Sequence, residues 1–537
     1  MQASLTSSKA VPGGANVAKC TSRKGWNRSG AIVPGHMRNR ATALYQPAIG
    51  CRGGANRAKH GHLTCRAEQR RSIPAVAVSH LSRSMVPGQE LHTCVLNAGG
   101  KQITLETGEV GRQANGAVTA TAGGTVIYTT ACADNGQPGD GSFLPLSIQY
   151  MERFSAAGET SGGYIKRDGR QKEGEVLTSR LVDRPLRPMF QEGWAMETQV
   201  LQWVLSFDGK NAPEPLAITA AGAALAISDI PLLKPVAAVR VGLVAGEFIV
   251  NPSLQQMQSS SLDLIIAGTE DAVLMIEGFC DFLTEDQMLE SIQVGADAIS
   301  GMCEQIQAWA DKIGKPKSKN LVLMPENLNQ EVEAMVVEDL DKAFRISAKQ
   351  ERGQAMAEIQ ARVMEAFSTS EDGPRHQGSY VSRAFKNACS KVVRGMVLNE
   401  KIRTDGRGLT DVRPIASRAS ALPVPHGSAL FTRGETQVLA VATIGSDKMA
   451  QRVDELKYTM EEDEGLKMFY LQYFFPPSSV GETGRVGPPG RREVGHGQLA
   501  ERALIPVVPP SEDFGYTIRV ETNVTESNGS PSLASVC

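Results

Sequence analysis

The chain has 537 residues, enough for roughly three or four domains, with 41% hydrophobic and 21% charged residues and a formal net charge of −2. No apolar run is long enough to cross a membrane. Its nine cysteines form no CxxC pairs and have no histidine partners at zinc spacing, which argues for a reducing compartment and against a disulfide scaffold.

The charge is unevenly placed. Residues 1–75 hold 13 Lys and Arg and one acid, Glu68, which leaves 43 basic and 57 acidic residues for 76–537. A leader of Ala, Ser, Gly and Arg with no acid in its first 67 residues reads as an organelle transit peptide. A basic arm that binds RNA is the other reading. Because the body is acidic, a polyanion has to be held there by local basic clusters rather than by a general field.

In chain order, the pattern becomes strand-like from about residue 92. "GTVIYTTAC" (124–132) alternates, with Val126, Tyr128 and Thr130 on one side. "LAITAAGAALAISDI" (216–230) carries the small apolar residues of a helix buried against a sheet. "AVRVGLVAGEFIVNP" (238–252) predicts a hairpin turning near Gly246, and "LDLIIAGTEDAVLMIEG" (262–278) a strand, a turn and a strand. "DKIGKPKSKN" (311–320) reads as a polar linker. In 331–367, Val332, Val336, Leu340 and Phe344, then Met356, Ile359, Val363 and Phe367, recur at three and four residues, the period of an amphipathic helix. A β-rich pattern resumes around 398 and includes "QVLAVATIG" (437–445).

The two β-rich regions echo one another. "GET" at 158–160 precedes a basic, glycine-containing loop and then Leu177 and Arg180. "GET" at 481–483 precedes another such loop and then Leu499 and Arg502, so that glycine-to-arginine spacings are 22 and 21 residues. This predicts two copies of one fold around a helical domain.

The loops are where chemistry is expected. "GGYIKRDGRQKEGEVLTSRLVDRPLRP" (162–188) and "GRVGPPGRREVGHGQLAER" (484–502) place arginines between glycines, where a guanidinium can approach phosphate closely and bind it through two donors. Tyr164 beside that charge can stack on a base. At the end, Ser527, Asn528 and Gly529 make a turn, Ser530 sits at a helix N-cap and Pro531 at the first helical position. A turn feeding a helix start is a ready anion site. No Walker A, GxGxxG or GxSxG sequence is present. "EEDE" (461–464), the densest acidic cluster, reads as a solvated loop.

These residues carry a family resemblance. "LETGEVGRQANGAV", "SFLPLSIQYMERFSAAGETSGGYIKRDGR", "LTSRLVDRPLRPMF", "KIRTDGRGLTDVRPI", "HGSALFTRGETQVLAVATIG", "PPSSVGETGRVGPPGRREVGHG" and "TESNGSPSLASVC" resemble the polynucleotide phosphorylases from about residue 90 to the end, nearest to the plant and algal plastid type. The resemblance implies an α/β (α+β) fold class. Residues 1–75 would be the transit peptide and 88–310 a first ribonuclease PH-like core. Residues 322–395 would form an all-helical domain and 398–537 a second, incomplete core. It implies phosphorolytic 3′-to-5′ degradation of RNA to nucleoside diphosphates and the reverse tailing reaction, in a homotrimer, in organelle mRNA turnover. Inorganic phosphate is the co-substrate, Mg2+ the metal, and the chloroplast stroma, or alternatively the mitochondrial matrix, the place.

Residue by residue, the resemblance implies that Ser530 and Ser532 cradle the phosphate, with Pro531 in place of a serine. It places Arg491, Arg492 and His496 at the catalytic end, and gives Tyr164, Lys166, Arg167 and Arg170 an RNA grip. The family's metal-binding aspartates, its catalytic lysine and its KH and OB-fold domains would follow Cys537. The expectation is therefore that the chain as given is inactive, or is an RNA-binding and assembly fragment. If the leader is a transit peptide, mass spectrometry of the organelle protein will place the mature N-terminus within about 65–90; intact residues 1–50 would refute this.

Overall fold

The structure, a computed structural model, describes residues 90–134, 136–160, 171–368, 376–453, 465–510 and 513–537. The expected transit segment, the acidic run 461–464, and Tyr164, Lys166, Arg167 and Arg170 lie outside these residues.

The first core is built on a six-stranded sheet of β1 (His92–Ala98), β2 (Lys101–Thr107), β3 (Gly116–Ala122), β4 (Thr125–Ala133), β5 (Leu146–Glu152) and β6 (Thr198–Ser206), in the order β1-β2-β3-β4-β6-β5. Helix α1 (Glu173–Leu186) lies between β5 and β6 in sequence and packs on β5. Helix α2 (Pro213–Ile227) is buried on almost every face, as its run of small apolar residues requires. It packs against β3, β4 and β7, between this sheet and a four-stranded one. The second sheet holds β7 (Ala237–Val244), β8 (Glu247–Val250), β9 (Leu262–Gly268) and β10 (Val273–Cys280), in the order β10-β9-β7-β8, with the short α3 (Leu254–Met257) between β8 and β9. The hairpin foreseen at Gly246 turns there, with Ala245 and Gly246 at φ 52° and 85°.

Helix α4 (Glu285–Ile313) closes this core. Residues 311–320 are no free linker, because α4 runs through Ile313 and the following strap is tied down. Lys317 Nζ donates to the carbonyls of Leu225, Ala226 and Ser228 at 2.7–2.9 Å, capping the C-terminal end of α2. The amphipathic stretch 331–367 is two helices, α5 (Leu328–Phe344) and α6 (Lys349–Ser368), which form a small core with α7 (Gly378–Gly395). The chain does not return to β structure at 398. Residues Met396–Glu400 extend α7 by a π turn, and the next strand begins at Ile415.

The last sheet comprises β11 (Ile415–Ala419), β12 (Gly427–Arg433), β13 (Thr436–Gly445), β16 (Phe469–Phe474) and β17 (Thr517–Glu526), in the order β11-β12-β13-β17-β16. The pair β14 (Gln451–Arg452) and β15 (Leu466–Lys467) lies apart from it. Helices α8 (Arg491–Leu504) and α9 (Pro531–Val536) complete what is described of the second core.

The sequence echo is a structural repeat. β2-β3-β4-β6-β5 and β11-β12-β13-β17-β16 share one pattern, antiparallel throughout except for the final parallel pair. Each copy has a 3-10 turn ending on a left-handed glycine, Gly158 (φ 75°) or Gly481 (φ 77°). Each then has a helix of 14 residues, α1 or α8. Glu175, the third residue of α1, accepts from Glu152 N (2.7 Å) and Lys172 N (2.6 Å). Glu493, the third residue of α8, accepts from Phe475 N (3.0 Å) and Gly490 N (2.7 Å). Each carboxylate thus joins an edge strand to a helix start, where negative charge is favoured.

This register corrects the sequence match. The partner of Arg502 is Arg184, within "LVDRPLRP" (181–188) and "LAERALIP" (499–506), and not Arg180. The two basic loops differ in length, so near-equal spacing from the glycine lands on Arg180, four residues short of Arg184. Because Glu175 is buried and two main-chain donors depend on it, Glu175→Ala should lower stability by about 2–4 kcal/mol in urea unfolding; a loss below about 0.5 kcal/mol would show the bridge to be incidental.

Candidate functional site: a basic cleft between the two cores

Helix α1 of the first core lies against α8 of the second. Beside this contact is a cavity of about 280 Å³ lined by Leu177, Arg180, Leu181 and Arg184 of α1, by Gly495, His496, Gln498, Leu499 and Arg502 of α8, by Glu277 of β10, and by Ser530, Ser532 and Leu533. Both members of the repeated arginine pair, Arg184 and Arg502, face this space. Three guanidiniums and one carboxylate give the lining a positive balance. Arg184 Nη1 is bound to Glu277 Oε2 at 2.7 Å, whereas Arg180 Nη1 donates to the main-chain carbonyl of Arg491 at 3.0 Å.

The serine turn is held by its carbonyls. Lys349 Nζ, at the start of α6, donates to Ser527 O (2.7 Å), Arg413 Nη1 to Asn528 O (2.9 Å), and Thr436 Oγ1 to Gly529 O (3.2 Å). Ser530 stands at the N-cap position as expected, but at φ 51° and ψ 50°, and its hydroxyl caps nothing. Ser530 is exposed, and Ser532 is buried at 8% exposure; both line the cleft.

His496 packs edge-on against the Tyr473 ring at 5.3 Å between centroids. Burial, reinforced by the cations of Arg492, Arg180 and Arg184, pushes its imidazole down to about 4. The ring is therefore neutral near pH 7 and can accept or donate one hydrogen bond to an anion's hydroxyl without adding charge.

The structure thus brings together His496, Ser530 and Ser532 of the expected residues. Arg491 and Arg492 do not line the cavity. Arg491 begins α8 and turns to the first core, where its Nη1 donates to Ile148 O of β5 at 3.0 Å. Arg492 lies over the Phe475 ring at 5.8 Å. The cations that do line it are Arg180, Arg184 and Arg502. The repeated L-x-D/E-R-x-L-x-P segment could have identified two of these; nothing in the sequence singles out Glu277 or Gln498. Asp263 of β9 is held by Arg240 through two bonds of 2.7 and 3.0 Å.

A domain model of the 3′ exoribonuclease family, domain 1, matches residues 99–231 and again 411–537; domain 2 of that family matches 234–298. The RNA-binding domain of polyribonucleotide nucleotidyltransferase matches 327–408. A polyribonucleotide nucleotidyltransferase of Protochlamydia amoebophila is 54% identical over 446 residues, 83% of this chain and 63% of its own length. The chain belongs to the polyribonucleotide nucleotidyltransferase family. The rice protein named "Probable polyribonucleotide nucleotidyltransferase 1, chloroplastic" is 44% identical over 519 residues, 88% of this chain and 57% of its own. The Chlamydia pneumoniae relative is 48% identical over 82% of this chain and 62% of its own. The chain therefore spans about three-fifths of the length of the curated relatives it matches. The fold is two ribonuclease PH-type regions with a helical domain between them, as the resemblance implied. The crystal structure of rice Rrp46 overlaps 42% of the chain at 14% identity, with a TM-score of 0.31, too low to show a shared fold.

The neutral histidine has a measurable consequence. Its folded pKa, about 4, is below the unfolded value of 6.5. Between those values the unfolded chain binds a proton that the folded chain refuses, so the contribution of His496 to stability falls as pH drops through that window and is unchanged above it. Histidine NMR should place the His496 midpoint near 4; a midpoint near 6.5 would show a solvated ring.

Proposed function

We propose that the chain acts in phosphorolytic 3′-to-5′ degradation of RNA, in which inorganic phosphate attacks the terminal phosphodiester, a nucleoside diphosphate leaves, and the reverse reaction adds tails. The observation that carries this reading is the cleft in which Arg180, Arg184 and Arg502 face Ser530 and Ser532. Guanidinium forks and hydroxyls are the donors that phosphate oxygens accept from. Fixed before the substrate arrives, they favour the charge that gathers on phosphate as the bond to the leaving nucleotide breaks. His496, neutral at pH 7, positions the anion by a hydrogen bond. Arg492, whose charge bears on His496, sets the field at one side, while Tyr164, Lys166, Arg167 and Arg170 would hold the RNA farther from its end.

The family resemblance also implies a magnesium ion. Among the described residues no three His, Cys, Asp or Glu side chains come together to hold a metal, and Asp263 is committed to Arg240. The described residues therefore do not fit the ion, and no step is assigned to it. A second reading is an RNA-binding and assembly module without catalysis, for which the match of residues 327–408 to an RNA-binding domain speaks. Homotrimer formation belongs to both readings. The acid-free leader and the name of the rice relative support the plastid stroma, with the mitochondrial matrix as the alternative.

An assay of the full chain with magnesium and an oligoadenylate separates the readings. Release of nucleoside diphosphate that depends on phosphate supports the enzyme, binding without release selects the module, and neither sinks both. In either case Arg502→Gln should weaken phosphate binding roughly tenfold or more, since one charge-assisted bond contributes about 1.5–3 kcal/mol.

A further inference from the structure

We propose that Gly495 is a positioning residue: by carrying no side chain it admits Arg180 of the first core into the cleft between the cores, where the guanidinium binds a phosphate group. This rests on the reading of the cleft as a phosphate site and adds to it a substrate-binding residue from the other core, and the glycine that makes room for it.

The geometry is specific. A Cβ at position 495 would stand 2.7 Å from both Cζ and Nε of Arg180 and 2.9 Å from Nη2. The Arg180 guanidinium therefore lies directly on the backbone of α8 at Gly495. Gly497, two residues on, is different: its added Cβ would meet nothing closer than 3.4 Å, an ordinary contact. Glycine inside a helix is unfavourable relative to alanine, because it gives up more backbone freedom. At 495 the close approach of Arg180 supplies the reason for tolerating it.

Arg180 is also placed to bind something. One of its donors reaches the Arg491 carbonyl, and that carbonyl is neutral. Its charged surroundings are Arg184 and Arg492 on one side of the balance and Glu277 and Asp183 on the other. Glu277, the carboxylate of the cleft lining, is taken up at 2.7 Å by Arg184. Burial and the neighbouring cations hold Arg180 below the usual arginine range, which marks a cation that a bound anion would relieve. Beyond the donor given to the Arg491 carbonyl, the guanidinium keeps further N–H groups of the kind that phosphate oxygens accept from.

The test is a mutant cycle on the full chain, with two probes: inorganic phosphate by calorimetry and a fluorescent oligoadenylate with a free 3′ end by anisotropy. Arg180→Gln removes the guanidinium. Gly495→Ala displaces it, since the atoms in the way are the far end of a flexible side chain, and alanine favours the helix, so the melting temperature should not fall. Each single change should weaken binding about tenfold or more, and Gly495→Ala added to Arg180→Gln should have no further effect, because its target is gone. Loss confined to phosphate places Arg180 on the attacking anion, and loss confined to RNA on the terminal phosphodiester. Unchanged binding in Arg180→Gln, or full additivity of the two changes, overturns the assignment while leaving the cleft's role intact. A wild-type chain that binds neither probe overturns both.

Discussion

The contact of α1 on α8 is the constraint on which the rest depends. Two helices of one design, one from each core, meet with their arginines turned to a common space. The cleft is therefore a property of the pair and of neither core alone. Each helix is fixed at its start by a glutamate, Glu175 or Glu493, that also holds the neighbouring edge strand. The angle at which a helix leaves its sheet, and with it the aim of every side chain on its inner face, is set by these carboxylates.

The two copies have not kept the same chemistry beyond that frame. The helix that follows the last strand begins with proline in both, Pro213 in α2 and Pro531 in α9. Around the second proline stand Ser530 and Ser532, both of which line the cleft. Around the first stand Ala212 and Glu214, and the nearby Arg240 is already neutralised by Asp263 at 2.7 Å, with Glu214 at 3.6 Å. A phosphate would find donors at one copy and a closed ion pair at the other.

Much of this was legible in the sequence for definite reasons. The hairpin at Gly246 was announced by a glycine between two apolar runs, and the burial of α2 by its small side chains. The serine turn and His496 were legible through family motifs. What was not legible depended on distance in the chain. Arg180 and Arg184 are remote from His496 in sequence and reach it only because two helices pack. The break between α5 and α6 is stabilised by Arg345 bonding Asp341 and Glu400 at about 3 Å, a partner choice that no local pattern announces. Arg491 and Arg492 begin a helix whose first turn faces the other core, so one gives a donor to the Ile148 carbonyl and the other lies over the Phe475 ring, while the charge of Arg492 still bears on His496.

The carbonyl of Ser527 carries a consequence of its own. Its partner is Lys349, the first residue of α6, so the three-helix layer and the anion-facing turn share a bond. Work done on one end is felt at the other: fraying the start of α6 frees the turn to sample conformations that do not present Ser530, and an anion that immobilises the turn restrains α6 in return. The helical layer is in this sense a thermodynamic partner of the cleft and not only a spacer between cores.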